Sequence, residues 1–162
     1  MSGDAIAPYA VSKTEMEISL ERALKEITTT MFNCESRKIP HADMEPTPPG
    51  LSAIVGLGGK ISGFLAIHLS PTSACNLASS LLGMSFDEID DIVADAMGEM
   101  VNMLAGSFKK YAFKYEDLFK ISIPSVVFGT DYSTHVPQNA ECLSMGFEAG
   151  SCVFTVQLVF LP

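Results

Sequence analysis

Glu99 and Asn102 supply a carboxylate and a carboxamide three residues apart, within the segment IDDIVADAMGEMVNMLAGSFKK that runs from Ile89 to Lys110. On a helix, residues at this spacing are neighbours, so the pair presents both groups side by side. The carboxylate can engage a partner's lysine, and the carboxamide, with donor and acceptor on one planar group, can orient a water molecule. Hydrolysis of an acyl phosphate needs mainly such an aligned water, because phosphoryl transfer depends on positioning and charge stabilisation.

The apolar spacing around this pair predicts a helix. At about 100° per residue, its apolar side chains fall on one broad arc, which predicts the buried side. The arc consists of Ile92, Val93, Ala96, Met97, Met100, Met103, Leu104 and Phe108. Flexible methionines on such an arc are typical of residues that fill gaps in a core. The polar stripe opposite carries Asp91 and Asp95 together with Glu99 and Asn102.

Two glycines accompany the polar stripe, with Gly98 on one flank and Gly106 directly below Glu99. Each costs about 1 kcal/mol relative to alanine in a helix interior, and the like charges of Asp95 and Glu99 one turn apart are also unfavourable. Bare backbone at the glycines would let a partner approach closely. The expected partner-binding surface consists of Asp91, Asp95, Gly98 and Gly106. A solvated helix face without a function is the alternative on local physics alone.

Other site chemistries find less support in the sequence. Asp91, Asp95 and Glu99 offer the oxygen ligands that hard cations prefer, but carboxylates on one helix more often form a solvated face, and we expect no metal. The histidines lie in no nucleophile motif and are scattered, at His41, His68 and His135. The glycine-rich stretch Gly56–Lys60 lacks the spacing of a phosphate-binding loop, and its position between two strands is typical of a turn.

The composition indicates one soluble domain. The chain has 162 residues, 48% of them hydrophobic, and no apolar run long enough to cross a membrane. We expect a tail over residues 1–12 and a single domain over residues 13–162. We expect the protein in the cytoplasm, because the N-terminus lacks the apolar region of a signal peptide.

The formal charge of −9 disfavours nucleic acid and favours a partner with a basic patch. The four cysteines lack zinc-site spacing and are interpreted as buried thiols.

Capping signals predict the helices. Ser12 and Glu15 form a capping-box pattern, Ser70 precedes a proline at a first helical position, and Ser85 and Glu88 repeat the capping box. The predicted helices run from Lys13 to Phe32, from Pro71 to Leu82, and from Ile89 to about Tyr111.

The predicted strands are Leu51–Leu57, Ile61–Leu69, Ile121–Phe128, Cys142–Glu148 and Cys152–Leu161. The first two flank Gly58-Gly59-Lys60, which is typical of a β-hairpin, and the last is apolar on both faces, as a central strand is. The proline-rich stretch Ile39–Gly50 is a connector whose preceding residues could pair at a sheet edge, and Gly129–Ala140 is a loop. The order predicts an α/β domain of the α+β type, with helices packed on a mostly antiparallel sheet.

The string ADAMGEMVNMLAGSFKK, from Ala94 to Lys110, resembles the signature helix of the CheC/CheX/FliY family of bacterial chemotaxis phosphatases, in which Glu-x-x-Asn precedes a small-residue step such as Ala105-Gly106. The hairpin LSAIVGLGGKISGFLAIHL, the Leu-Leu-Gly before the helix and the strand from Ile121 to Gly129 resemble the same family. There is no second Glu-x-x-Asn, which favours the CheX branch, with a CheX-like fold and one signature helix.

The resemblance implies an enzyme that removes the aspartyl phosphate from the response regulator CheY in chemotaxis signalling. It assigns Asn102 to orienting the attacking water and Glu99 to pairing with the regulator's lysine. It also implies that magnesium belongs to the regulator and that this chain holds no cofactor of its own. Members of this branch are expected to form homodimers joined through their sheets, with the Gly129–Ala140 loop as a place for strand exchange.

Two alternatives remain open from the sequence. The same helix face could bind a receiver domain without hydrolysing its phosphate. It could instead belong to a dimerisation module, in which Gly98 and Gly106 let another helix pack closely beside solvated Glu99 and Asn102.

Overall fold

The structure, a computed structural model, describes residues 5–6, 11–40, 50–113 and 117–162. Its helices are α1 (Lys13–Phe32), α2 (Pro71–Leu82) and α3 (Asp91–Phe113). Its strands are β1 (Ala5–Ile6), β2 (Val11–Ser12), β3 (Ser36–Ile39), β4 (Leu51–Gly59), β5 (Gly63–Leu69), β6 (Phe119–Ile121), β7 (Ser125–Phe128), β8 (Glu141–Ala149) and β9 (Cys152–Phe160). The strand pair β1 and β2 lies in the segment expected to be a tail.

The strands from β3 to β9 form one antiparallel sheet in the order β3-β8-β9-β5-β4-β6, with β7 also paired to β4. Alternate residues of β4, among them Leu51, Ala53 and Val55, are completely buried, as are their register partners on β5. The three helices contact one another and bury their apolar sides against this face of the sheet. The prediction of helices on an antiparallel sheet is confirmed, and β9 lies inside the sheet as predicted.

The first two predicted helices have the predicted bounds and caps. The Ser12 hydroxyl accepts a hydrogen bond from the Glu15 amide, and the Glu15 carboxylate accepts one from the Ser12 amide. In α2, the Ser70 hydroxyl accepts from the Ser73 amide, and Gly83 ends the helix in the left-handed conformation, with φ of 66°. Local sequence signals were sufficient here because each cap satisfies backbone groups that the helix itself leaves unpaired.

The predicted start of α3 at a Ser85/Glu88 capping box is wrong. The helix begins at Asp91, and the carboxylate of Asp90 accepts a hydrogen bond from the Val93 amide at 2.9 Å. Aspartate caps a helix as well as serine does. Of the two possible caps, Ser85 and Asp90, the one closer to the apolar residues of the helix is used.

The single strand predicted over Ile121–Phe128 is two short strands. Both β6 and β7 pair with β4, and a bend over Ser122–Pro124 separates them. Proline has no amide hydrogen to donate to a strand ladder, which explains the interruption. The proline-rich connector predicted over Ile39–Gly50 lies mostly outside the described residues, whereas the residues before it form β3 at a sheet edge, as the sequence allowed.

The C-terminal end of α3 is held from two sides. Lys110 Nζ lies 3.0 Å from both carboxylate oxygens of Glu26 in α1, and the Tyr111 hydroxyl donates to the same carboxylate. The hydrogen bond from Tyr111, followed by that from Lys110, lowers the pKa of Glu26. On the other side, Lys109 Nζ donates to the carbonyl of Phe119 in β6 at 2.6 Å. These contacts fix the direction in which the outer surface of α3 faces.

A half-buried chain of polar side chains lies on the sheet face away from the helices. Ser52 alternates with core residues of β4, and its hydroxyl lies 2.7 Å from His68 Nδ1 and 3.0 Å from the Tyr132 hydroxyl. His68 Nε2 lies 3.1 Å from Gln157 Oε1. The predicted loop from Gly129 to Ala140 has no helix or strand, and Tyr132 ties it back to the sheet. Desolvation by burial lowers the pKa of His68.

The cysteines only partly follow the prediction of buried thiols. Cys75 and Cys152 are buried, Cys34 is half-buried and Cys142 is exposed, and all of them are free. None of the described helices is long and apolar enough to cross a membrane.

Replacing Asp90 with alanine is expected to lower the free energy of unfolding by about 1 kcal/mol, because the first turn of α3 loses its cap. Urea unfolding followed by circular dichroism measures the change. Asp87→Ala, an exposed aspartate in the same loop, is the matched control and should change the free energy little. Equal losses in both variants would contradict the capping role.

The free energy of unfolding is expected to fall as the pH is lowered, because His68 becomes protonated more readily in the unfolded protein. Its pKa in the folded protein lies below the usual 6.5, so the neutral ring favours folding, and this contribution is lost as the pH falls from about 6.5 through the lower folded pKa. One proton can account for at most about 1.4 kcal/mol per pH unit. Urea unfolding at a series of pH values should show a shallower slope for His68→Gln, whereas His135→Gln, at an exposed position, should follow the parent protein.

Candidate functional site

The outer surface of α3 is a narrow stripe. Its exposed members are Asp91, Ile92, Asp95, Glu99, Met103, Gly106 and Lys110, and Asn102 is half-buried at its edge. Glu99 and Asn102 lie one turn apart, as the sequence predicted. The arrangement also places Asp95 one turn before Glu99, which makes this part of the stripe acidic.

The side chains of Glu99 and Asn102 have no hydrogen bond or ion pair within the described part of the chain. The same holds for Asp91 and Asp95. If these groups had a structural role, each would have a partner inside the fold, as the carboxylate of Glu26 has Lys110. The polar ends of Glu99 and Asn102 are therefore available to a molecule that docks on α3.

The two glycines have different environments. A Cβ on Gly98 would lie 3.3 Å from Val126 Cγ2 and 3.6 Å from Pro124 Cγ, and Gly98 is buried. Its bare backbone therefore lets β7 and the bend before it pack beside Asn102, and the expectation that Gly98 is open to a partner is wrong. Gly106 is exposed, with no atom within 4 Å of a Cβ placed on it, so close approach at this position fits the prediction.

Two apolar side chains that the helical arc assigned to the core lie on the stripe instead. Ile92 is 48% exposed and Met103 is 37% exposed. Both lie on the same side of Glu99, away from Asn102, at helical offsets of seven and four residues. The predicted arc is therefore too wide. Ala96 and Met100 mark the edge of the buried side of α3, and Ile92 and Met103 lie beyond it.

The bend over Ser122–Pro124 belongs to the site and was missed by sequence reasoning. Lys109 holds Phe119 near the end of α3, and Pro124 packs on Gly98 near its middle. The intervening segment therefore runs beside the turn of α3 that contains Asn102. The proline inside an apolar run was a signal for this bend.

This arrangement can place a water molecule and a negative charge on a docked surface. The carboxamide of Asn102 can accept from a water and donate to a second oxygen, and the carboxylate of Glu99 can pair with a cation. Among the described residues, no group of three or more histidine, cysteine, aspartate or glutamate side chains is placed to hold a metal ion.

Comparisons with known proteins agree with this geometry. The family model described as chemotaxis phosphatase CheX matches residues 51–148, which include α3 and the bend. The CheY-P phosphatase CheX of Thermotoga maritima is 36% identical over 88 residues, which cover 52% of this chain and 55% of that protein. The chain thus aligns with about half the length of this curated relative.

Two solved structures share the fold. The chemotaxis protein CheX from Vibrio vulnificus has a TM-score of 0.76 and 21% identity, covering 91% of this chain and 97% of the other. The CheX–CheY–BeF3–Mg2+ complex from Borrelia burgdorferi matches with a TM-score of 0.75 and 22% identity, covering 91% of this chain and 98% of the other. Because the family model covers more than half of the sequence, the chain belongs to the CheX family of chemotaxis phosphatases.

Proposed function

We propose that this protein hydrolyses the aspartyl phosphate of a CheY-like response regulator in the cytoplasm. The observation that carries the proposal is the exposed, unpaired Glu99 and Asn102 pair on α3, inside the segment that matches the family model. The name of the Thermotoga maritima relative states the same activity for that protein.

Asn102 acts on the attacking water. Its amide oxygen accepts a hydrogen bond from the water and turns a lone pair towards phosphorus, in line with the leaving aspartyl oxygen. The water oxygen forms the new bond to phosphorus as the bond between phosphorus and the aspartyl oxygen breaks. The aspartate leaves as a carboxylate, and both protons of the water remain with the phosphate, which is released as dihydrogen phosphate. Asn102 is half-buried, one turn after the Gly98 on which Pro124 and Val126 pack, and this position limits its movement and so favours alignment.

Glu99 pairs with a lysine beside the phosphorylated aspartate of the regulator. Its exposed carboxylate has no cation within the described residues of this chain, so the regulator must supply one. Magnesium, which neutralises charge on the transferring phosphoryl group, belongs to the regulator in this proposal, and this chain supplies no metal ligand.

The test follows the decay of a phosphorylated CheY receiver domain. The parent protein should accelerate the decay, and Asn102→Ala should slow the catalysed rate at saturation by about a hundredfold, because the water loses its alignment. Glu99→Ala should mainly raise the concentration of receiver needed for half-maximal rate, since it removes the pairing group. Glu35→Ala, which removes an exposed carboxylate outside α3, is the matched control and should leave both quantities unchanged.

This experiment separates the enzyme from both alternatives. A protein that binds the receiver without accelerating phosphate loss would be a receiver-binding module. A protein that neither binds the receiver nor accelerates the loss would leave dimerisation as the use of α3, and either result would overturn the proposed activity.

We further propose a homodimer joined through the sheets. Within the described chain, β7 pairs only with β4, so its other edge offers unpaired backbone groups. Its Val127 and Phe128 side chains are exposed. Apolar edge strands of this kind are templates for pairing with a second chain, and the loop that follows, Gly129–Ala140, is where strand exchange would occur.

Light scattering during gel filtration should give twice the 17.4 kDa mass of the chain. Val127→Lys is expected to shift the protein to a monomer, because charge on an edge strand opposes pairing. Ile18→Lys, at an exposed apolar position on α1, is the control and should leave the mass doubled. A parent protein that elutes with the mass of one chain at all concentrations tested would exclude this dimer.

A further inference from the structure

We infer that Ile123, Ile92 and Met103 form an apolar rim around Glu99 and Asn102, and that this rim binds the surface of the receiver domain next to its phosphorylation site. The inference rests on the proposed function and adds the residues that determine affinity for the partner. We use the term apolar rim for these three side chains.

Ile123 is the most exposed large apolar side chain of the described residues, at 86%. A lone exposed isoleucine needs no explanation, but the backbone that carries this one is held in place. The Ser122 hydroxyl accepts from the Gly56 amide at 2.8 Å and donates to the Ile123 carbonyl at 2.8 Å, and the Ser122 amide donates to the Gly56 carbonyl at 2.9 Å. On the other side of Ile123, Pro124 packs on Gly98. A β-branched side chain has few χ1 rotamers, and on a fixed backbone it loses little entropy on binding.

Ile92 and Met103 complete the rim across the stripe. Both lie on one side of Glu99, whereas the bend that carries Ile123 lies on the side of Asn102. Apolar side chains around a polar centre exclude water from it when a partner docks, and such exclusion strengthens the electrostatic interactions inside. For a site that must hold one water molecule in place, removing the other waters is a direct benefit.

Charge complementarity selects the occupant. Asp91, Asp95 and Glu99 form an acidic stripe with no cation from the described chain, in a protein of formal charge −9. A second copy of this chain would bring acidic groups against acidic groups, which is unfavourable. The matching surface combines a lysine with apolar neighbours and carries an acyl phosphate within reach of Asn102. The phosphorylated receiver domain has this chemistry under the proposed function.

The test measures both binding and turnover. The probe is a CheY receiver domain loaded with beryllofluoride and magnesium, titrated against the parent protein, Ile123→Ser and the double variant Ile92→Ser/Met103→Ser. Each variant should raise the Kd about tenfold, because each loses apolar surface that the docked receiver would bury. With phosphorylated receiver, KM should rise by a similar factor while kcat stays within twofold of the parent value.

Val153→Ser is the matched control. Val153 is 41% exposed, and because it alternates with the core residue Phe154 it lies on the sheet face away from the helices, so its variant should keep the parent Kd. All three rim positions are exposed, and thermal unfolding should show that the variants fold.

The outcomes separate the two proposals. Unchanged Kd and KM in both rim variants would overturn the apolar rim while leaving the phosphatase activity intact. Weakened binding in the rim variants of a parent protein that binds the receiver but does not accelerate phosphate loss would support the rim and overturn the proposed activity. A fall in kcat with KM unchanged would also overturn the rim, since it would place these residues in the chemistry.

Discussion

The packing of α3 on both flanks is the constraint on which the rest of the structure depends. On one flank, the ion pair and hydrogen bond to Glu26 hold α3 against α1. On the other, Gly98 leaves room for Val126 of β7, which a Cβ at this position would meet at 3.3 Å. Between these contacts only one stripe of the helix reaches the surface. Glu99 and Asn102 are therefore presented by a helix that can neither rotate nor slide without breaking contacts on two sides.

The acidic character of this stripe has a consequence for the chemistry. A carboxylate near a phosphoryl group is repelled by it unless a cation lies between them. Under the proposed function, Glu99 therefore disfavours free phosphate compounds that bring no positive charge, and favours a phosphorylated surface that supplies its own lysine. In that proposal, the lysine that binds Glu99 also cancels the repulsion between Glu99 and the phosphoryl group. Selectivity for the partner therefore does not require a deep pocket.

The sequence predicted most of the fold because the relevant signals are local. The caps at Ser12 and Ser70 each involve residues within three positions of one another. Along the strands, the alternation of apolar and polar residues predicts which side chains are buried. It was less accurate wherever tertiary contacts decide the outcome. Hydrophobicity alone placed Met103 in the core, since nothing in the helix reveals how far α1 extends around it. Gly98 was assigned to a partner because its true neighbour, Val126, is distant in sequence.

At the interrupted edge of the sheet, strand pairing and the exposed side chain of Ile123 depend on different groups. β6 and β7 each pair with β4 through their own backbone hydrogen bonds, so the sheet does not rely on the side chain of the residue between them. Ile123 can therefore vary without altering the fold or the positions of Glu99 and Asn102. Substitutions at the bend could in this way change the surface beside α3 without disturbing the packing of α3 on α1 and β7.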